Sequence, residues 1–137
     1  MDKFGETTTV TGDPVPDQLR SLFNDADNVR VQQLPCELPG FDSLAVHFGA
    51  GARTVPHKHA TGQQLIWVDG IGVVADEDGV HVVHAGDVVS NPPGAWHWHG
   101  ATPGRAATHV TFEAPDDFDL SVERRDWDAS YKANLGQ

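Results

Sequence analysis

Along most of this chain, short stretches rich in Val, Ile, Phe, Trp and Thr alternate with breaks carrying glycine or proline. The breaks recur roughly every eight to twelve residues, the rhythm of sandwiches and barrels. The pattern predicts strands over Val29 to Leu34, Ser43 to Phe48, Thr54 to His59, Gln64 to Val68, Gly72 to Asp76, Val80 to His84, Asp87 to Ser90, Trp96 to His99 and Ala107 to Glu113. Turn chemistry lies between them: Leu38-Pro39-Gly40, Gly49-Ala50-Gly51, Asp69-Gly70, Asp76-Glu77-Asp78-Gly79 and Asn91-Pro92-Pro93-Gly94. The connections are too short for helical crossovers, so the expected class is all-β with antiparallel pairing. Only the ends read otherwise, with room for a turn or two of helix at Asp17 to Phe23 and at Asp126 to Asn134. The expected organisation is an N-terminal extension at residues 1–28 packing on the barrel, a β-barrel at 29–120, and a tail at 121–137 able to form a short helix.

A chain of 137 residues buries roughly two-thirds of its unfolded surface, enough for one hydrophobic core. No apolar run approaches the ~20 residues of a membrane helix. The opening Met1-Asp2-Lys3-Phe4-Gly5-Glu6 lacks the basic-then-apolar order of a signal peptide, so a cytoplasmic location is expected. Twenty acidic residues against nine basic ones give a formal charge of −11. That charge repels phosphate backbones and anionic membranes, which leaves a small molecule as the expected partner. The acids are spread along the chain, as suits solubility.

Cys36 is the only cysteine, so no intrachain disulfide is possible and a metal site must use histidine, carboxylate or amide donors. Histidine is abundant, with eight in the chain, and clustered: His57 with His59, His81 with His84, His97 with His99, and His47 and His109 alone. Residues two apart on a strand share a face, so His57 and His59 can bind one ion together. Gln63 follows Gly62, which can turn the chain, and His97 follows the tight Pro92-Pro93-Gly94 segment. An isolated H-x-H fits two packed or surface histidines equally well.

The spacing adds more. Gly51 is followed after five residues by His57-Lys58-His59, after three more by Gln63 and after six more by Gly70. Fifteen residues later, Gly86 is followed after five residues by Pro92-Pro93-Gly94 and after two more by His97. These blocks resemble the paired motifs of the cupin superfamily. The resemblance implies a double-stranded β-helix, or jelly-roll, barrel of six or more antiparallel strands, with a metal ion inside held by His57, His59, Gln63 and His97. Gln63 stands where most cupins have Glu, and Ala101 where Asn is common. The phrases Gly51-Ala52-Arg53-Thr54, Gly62-Gln63, Gly86-Asp87-Val88-Val89, His97-Trp98-His99-Gly100-Ala101 and Thr108-His109 are similar to small bacterial cupins that include the manganese-dependent hydroxynitrile lyases. The similarity runs from Gly49 to Glu113, with fainter echoes at Thr11-Gly12 and from Trp127 to Tyr131.

The cofactor so implied is one divalent ion, with Mn²⁺ or Fe²⁺ favoured; a nitrogen and oxygen donor set without thiolate also admits Zn²⁺, Ni²⁺ and Co²⁺. Glutamine donates a dipole where glutamate donates a charge, so the ion keeps its full 2+ and acts as a stronger Lewis acid. The resemblance places His109 beside the metal as a general base, the alternative being a hydrogen-bonded core histidine. It makes Thr54 a pocket hydroxyl, although threonine is also simply a good strand former. It suggests a pocket wall of Leu44 and Val46, with His47 pointing away. His99 shares a face with His97 and can reach the cavity, and Glu113 occupies a pocket-edge position. His81 and His84 belong to an exposed hairpin without assigned chemistry, and Trp67, Trp96 and Trp98 read as packing or pocket walls. Three functions stay open: a metal-dependent lyase of small hydroxylated or carbonyl substrates, an iron-dependent dioxygenase, and a non-enzymatic small-molecule-binding protein. Cupins are commonly dimers, so a homodimer is the expected assembly.

Overall fold

The computed structural model describes residues 12–115 and 118–135. The fainter likeness at Thr11, and the predicted extension up to that residue, lie outside the described residues. Among the described residues ten strands and one α-helix follow in order: β1 (Asp13–Pro14), β2 (Val29–Leu34), β3 (Asp42–Phe48), β4 (Lys58–His59), β5 (Gln63–Asp76), β6 (Gly79–His84), β7 (Val88–Asn91), β8 (Trp98–Ala101), β9 (Ala107–Glu113), β10 (Phe118–Asp119) and α1 (Trp127–Leu135). Every pairing is antiparallel.

β5 is the strand that makes the barrel. Its first half pairs with β9 and β7, extending a sheet that continues through β3 and β2 to β1. Its second half pairs with β6 and β8. The chain therefore passes from one sheet to the other inside a single 14-residue strand. This corrects the expectation of two strands split by an Asp69-Gly70 turn. The ladder with β9 shifts register between Trp67 and Asp69, a bulge that bends the strand and re-aims it. Gly70 completes the corner at φ +76°, where a Cβ would lie 1.9 Å from the Ala106 carbonyl oxygen. The turn-forming residues are used for a bend, not a reversal, because both flanks find partner strands.

Two other expectations shift for similar reasons. Of the predicted Thr54 to His59 strand only Lys58–His59 forms a regular ladder; Pro56 has no N–H to donate, and Thr54 and His57 join neighbours through isolated bridges to Phe23 and His97. β8 begins at Trp98 and not at Trp96, since His97 is held by that same bridge. Near the N-terminus, Asp17–Leu22 forms a 3₁₀ helix. It stops where Phe23 turns extended and stacks edge-on against Phe48, ring centroids 6.0 Å apart.

Alternation on the strands creates two apolar layers. In the register of the first sheet Val31, Val46, His109 and Trp67 lie opposite one another, as do Leu44, Thr111 and Leu65. These side chains face the barrel interior with Val29, Phe48 and Ala107. On the second sheet Val73, Ala75 and Trp98 form the opposite face and pack with Trp96 and with Tyr131 of α1. The tail thus folds as a helix that covers the outside of the barrel.

Candidate metal centre

Three histidines meet inside the barrel. His57 and His97 exchange backbone hydrogen bonds across their bridge, with N to O distances of 2.9 and 3.1 Å. That places both rings on the interior side, centroids 4.4 Å apart. His59, two residues beyond His57, repeats its direction with a centroid 5.0 Å away. The loop bearing the second motif is fixed to the first, because Gly94 donates its N–H to the His59 carbonyl at 2.8 Å. One nitrogen from each of His57, His59 and His97 lies within 4.8 Å of the others, and all three residues are buried. Gln63 enters from the start of β5. Gly62 before it has φ +90°, and a Cβ there would sit 2.9 Å from the Asn91 carbonyl oxygen, so the approach of β7 requires glycine.

Hydrogen bonds fix which nitrogens are bare. Nδ1 of His57 donates to the Val55 carbonyl at 2.8 Å, and Nδ1 of His97 donates to the Ala95 carbonyl at 2.9 Å. A carbonyl only accepts, so the proton sits on Nδ1 and Nε2 is a lone pair. Burial, and then the neighbouring His97, holds His57 well below the usual imidazole value. Burial also lowers His97. Both rings are therefore neutral near pH 7. The bare Nε2 of His97 faces the Gln63 amide oxygen at 3.1 Å. Two lone-pair donors at that separation, with no proton to share, repel each other unless a cation lies beside them both. The residues present fit a divalent ion on this observation, and the set of three imidazoles and one amide oxygen suits nitrogen- and oxygen-preferring metals.

Glu113 stands behind this set. Register places it directly opposite Gln63 on β9. Its Oε1 accepts from the Gln63 amide N–H at 3.3 Å, and its Oε2 lies 3.1 Å from Nδ1 of His59.

Deeper in the barrel His99 and His109 form a second imidazole pair, Nδ1 to Nε2 at 2.9 Å. Burial and the neighbouring His109 hold His99 well below its ordinary value, and burial takes His109 down to about 3. Nε2 of His99 is buried and has no hydrogen-bond partner among the described residues. The backbone N–H of His99 donates to the Thr54 hydroxyl at 3.1 Å. That bond uses the oxygen as acceptor and leaves the hydroxyl proton free to donate.

A cavity of about 170 Å³ opens onto the cluster, lined by His57, His59, Gln63, Thr54, His99, His109 and Glu113 at its polar end. Leu44 and Val46 line the same cavity, while His47 points to the other face and bonds Thr108 at 2.9 Å. His81 and His84 are exposed on the β5–β6 hairpin. Trp67, Trp96 and Trp98 are packing residues absent from the cavity lining. Residue patterns did not single out Leu19, Leu22, Phe23 and Phe118 as part of the cavity wall. The first three are spaced three and one residue apart, the sign of an apolar face that needs a partner. Nothing local marks Phe118, which arrives opposite His59 through the β10–β4 pairing.

Among the described residues no helix is long and apolar enough to cross a membrane. A family model described as "Cupin domain" matches residues 44–112. (R)-mandelonitrile lyase of Granulicella tundricola is 47% identical over 70 residues, 50% of this chain and 53% of that protein. The chain thus spans about half the length of this curated relative. Among solved structures, a cupin-like protein from Thermotoga maritima superposes with a TM-score of 0.76 at 25% identity, covering 93% of this chain and 96% of the other. The polyketide cyclase RemF of Streptomyces resistomycificus shares the fold, with a TM-score of 0.70 at 16% identity over 98% and 99% of the two chains.

Proposed function

The chain belongs to the cupin domain family, and from that premise we propose that it is a metal-dependent lyase that splits small cyanohydrin-like substrates into a carbonyl compound and an anion. The observation that carries this reading is the pair of facing lone-pair donors, Nε2 of His97 and Oε1 of Gln63 at 3.1 Å, converging with His57 and His59. The likeness to a mandelonitrile lyase supports the direction of the chemistry.

His57, His59, Gln63 and His97 would hold one divalent ion, with Mn²⁺ or Fe²⁺ preferred. When bound, the ion supplies Lewis acidity towards an oxygen or a small anion. Thr54 donates its remaining hydroxyl proton to the substrate oxygen and orients it. The His99–His109 pair accepts the substrate hydroxyl proton at Nε2 of His99 and shares the resulting charge through the Nδ1–Nε2 bond. Both rings start neutral because they are buried, so they begin as acceptors and not as donors. As the proton leaves, the bond between carbon and cyanide breaks and its electron pair departs with cyanide, leaving an aldehyde or ketone. Leu19, Leu22, Leu44 and Val46 exclude water from one side of the cavity and favour an aromatic or aliphatic substituent.

Elemental analysis of the purified protein, followed by a mandelonitrile cleavage assay under argon and under air, tests the reading. About one divalent ion per chain and equal turnover in both atmospheres are expected. Metal-free protein, or turnover only with oxygen, overturns it, the second outcome favouring a dioxygenase.

A further inference from the structure

The four candidate ligands do not orient themselves. An amide can present either its oxygen or its NH₂ group, and an imidazole either nitrogen; only one choice of each binds a cation. The carbonyls of Val55 and Ala95 settle the choice for His57 and His97. For Gln63 the acceptor is one oxygen of Glu113, 3.3 Å from the amide nitrogen, and the other oxygen of the same side chain approaches Nδ1 of His59 to 3.1 Å, an ion-pair distance. Resting on the metal-binding reading above, we propose that Glu113 is the positioning residue of the site. It turns the Gln63 oxygen and the His59 Nε2 towards the ion together, and it returns, one residue removed, the negative charge that a glutamine ligand lacks.

The geometry requires a carboxylate in particular. Both of its oxygens accept, so it can receive from the amide NH₂ and the imidazole N–H at once. An amide at the same place has a single accepting atom, and where a carboxylate presents its second oxygen the amide presents NH₂, which would oppose either an N–H of His59 or the NH₂ of Gln63. The Glu113 side chain is 11% exposed, so little water is at hand to repair the mismatch. Its position follows from the backbone, since the β5–β9 register sets Glu113 across from Gln63.

The test compares Mn²⁺ affinity, measured by competition with a chromophoric chelator, in wild type, Glu113→Gln and Glu113→Ala. The Glu113→Gln side chain has nearly the same volume, so a packing role would leave affinity and melting temperature unmoved. Loss of an outer carboxylate partner typically weakens metal binding about 10–100-fold. We expect about a tenfold weakening in Glu113→Gln, a larger one in Glu113→Ala, and a changed zero-field splitting in the Mn²⁺ electron paramagnetic resonance spectrum of both. Wild-type affinity within twofold and an unchanged spectrum in Glu113→Gln would overturn the inference. Wild-type protein that binds no metal would overturn instead the reading on which it rests.

Discussion

Arg53 and Thr54 are neighbours in sequence, yet they serve two regions of opposite character. Thr54 faces the cavity, whose lining includes four histidines, His57, His59, His99 and His109. Arg53 faces the outer layer, where its guanidinium lies 3.8 Å from the ring centre of Tyr131 and 4.5 Å from that of Trp127, and pairs with Asp128. Both regions bury polar nitrogen among rings. Outside, the charge is met by aromatic faces and a carboxylate, an arrangement worth roughly 2 kcal/mol or more when desolvated. Inside, Nε2 of His97 and the Gln63 amide oxygen face each other at 3.1 Å with no proton between them, beside the Nε2 lone pair of His57. The outer layer is built for stability, whereas the interior brings like donors together at a cost to the folded chain.

The strongest way to break this contrast is to remove a converging donor. His57→Ala should take metal stoichiometry from about one ion per chain to none detectable, while thermal stability in chelator falls little or rises. Buried ligand clusters are held at the expense of stability, and relieving them often raises it. The measurements are elemental analysis and melting in EDTA. Metal retained at wild-type stoichiometry, or a collapse in metal-free stability, would show that these histidines act as ordinary core residues.

Acid sharpens the contrast next. His57, His97, His99 and His109 all bind protons less readily when folded than the ordinary value near 6.5. Below that value the unfolded chain takes up protons that the native chain refuses. Stability present above pH ~6.5 is therefore lost as pH falls towards the native values, about 3 for His109. Each such histidine contributes a slope of up to about 1.4 kcal/mol per pH unit. In the outer layer, hydrogen bonds from Lys132 and Arg53 lower Asp128 below the usual carboxylate value, so its contribution holds until the pH is more acidic still. Urea unfolding in chelator between pH 7.5 and 4.5 thus reads the interior histidines together with His47, which burial and then Arg30 lower in the same way. A flat profile there would mean that the histidines are solvated or charged in the native state.

The sequence was informative where a single strand's own alternation decides the outcome. β2 and β9 run over the predicted bounds, and His57 and His59, two residues apart, turn their rings towards one site, whereas the meeting with His97 was expected from the family resemblance and is made by a bridge between distant segments. It was uninformative where register between distant strands decides. The Glu113 contacts to Gln63 and His59 depend on the β5–β9 ladder, and the His99–His109 bond joins two strands separated by a loop. Asp69-Gly70 misled because local turn chemistry is identical in a reversal and in a corner bulge. The clamp around Arg53 was invisible for the same reason, since its partner Asp128 lies 75 residues away in sequence.

That clamp supplies the smallest expected effect. Arg53→Ala removes the cation from between the Tyr131 and Trp127 rings and leaves a gap beneath α1. The helix keeps other attachments: the Tyr131 hydroxyl donates to the Ala101 carbonyl at 2.8 Å, and its ring packs on Trp98 with centroids 5.9 Å apart. The loss should therefore be about 2 kcal/mol, near the value of a desolvated cation–π contact, and not a full detachment of α1. Metal affinity should stay within about twofold, because the backbone of this segment is pinned independently: the Thr54 N–H donates to the His99 carbonyl at 2.7 Å, and Ala101 donates to the Ala52 carbonyl at 2.8 Å. Chemical unfolding and chelator competition on the same variant separate the two effects. A loss of metal affinity matching the loss of stability would mean that the outer layer holds the site in shape, and that the two faces of this strand form one cooperative unit.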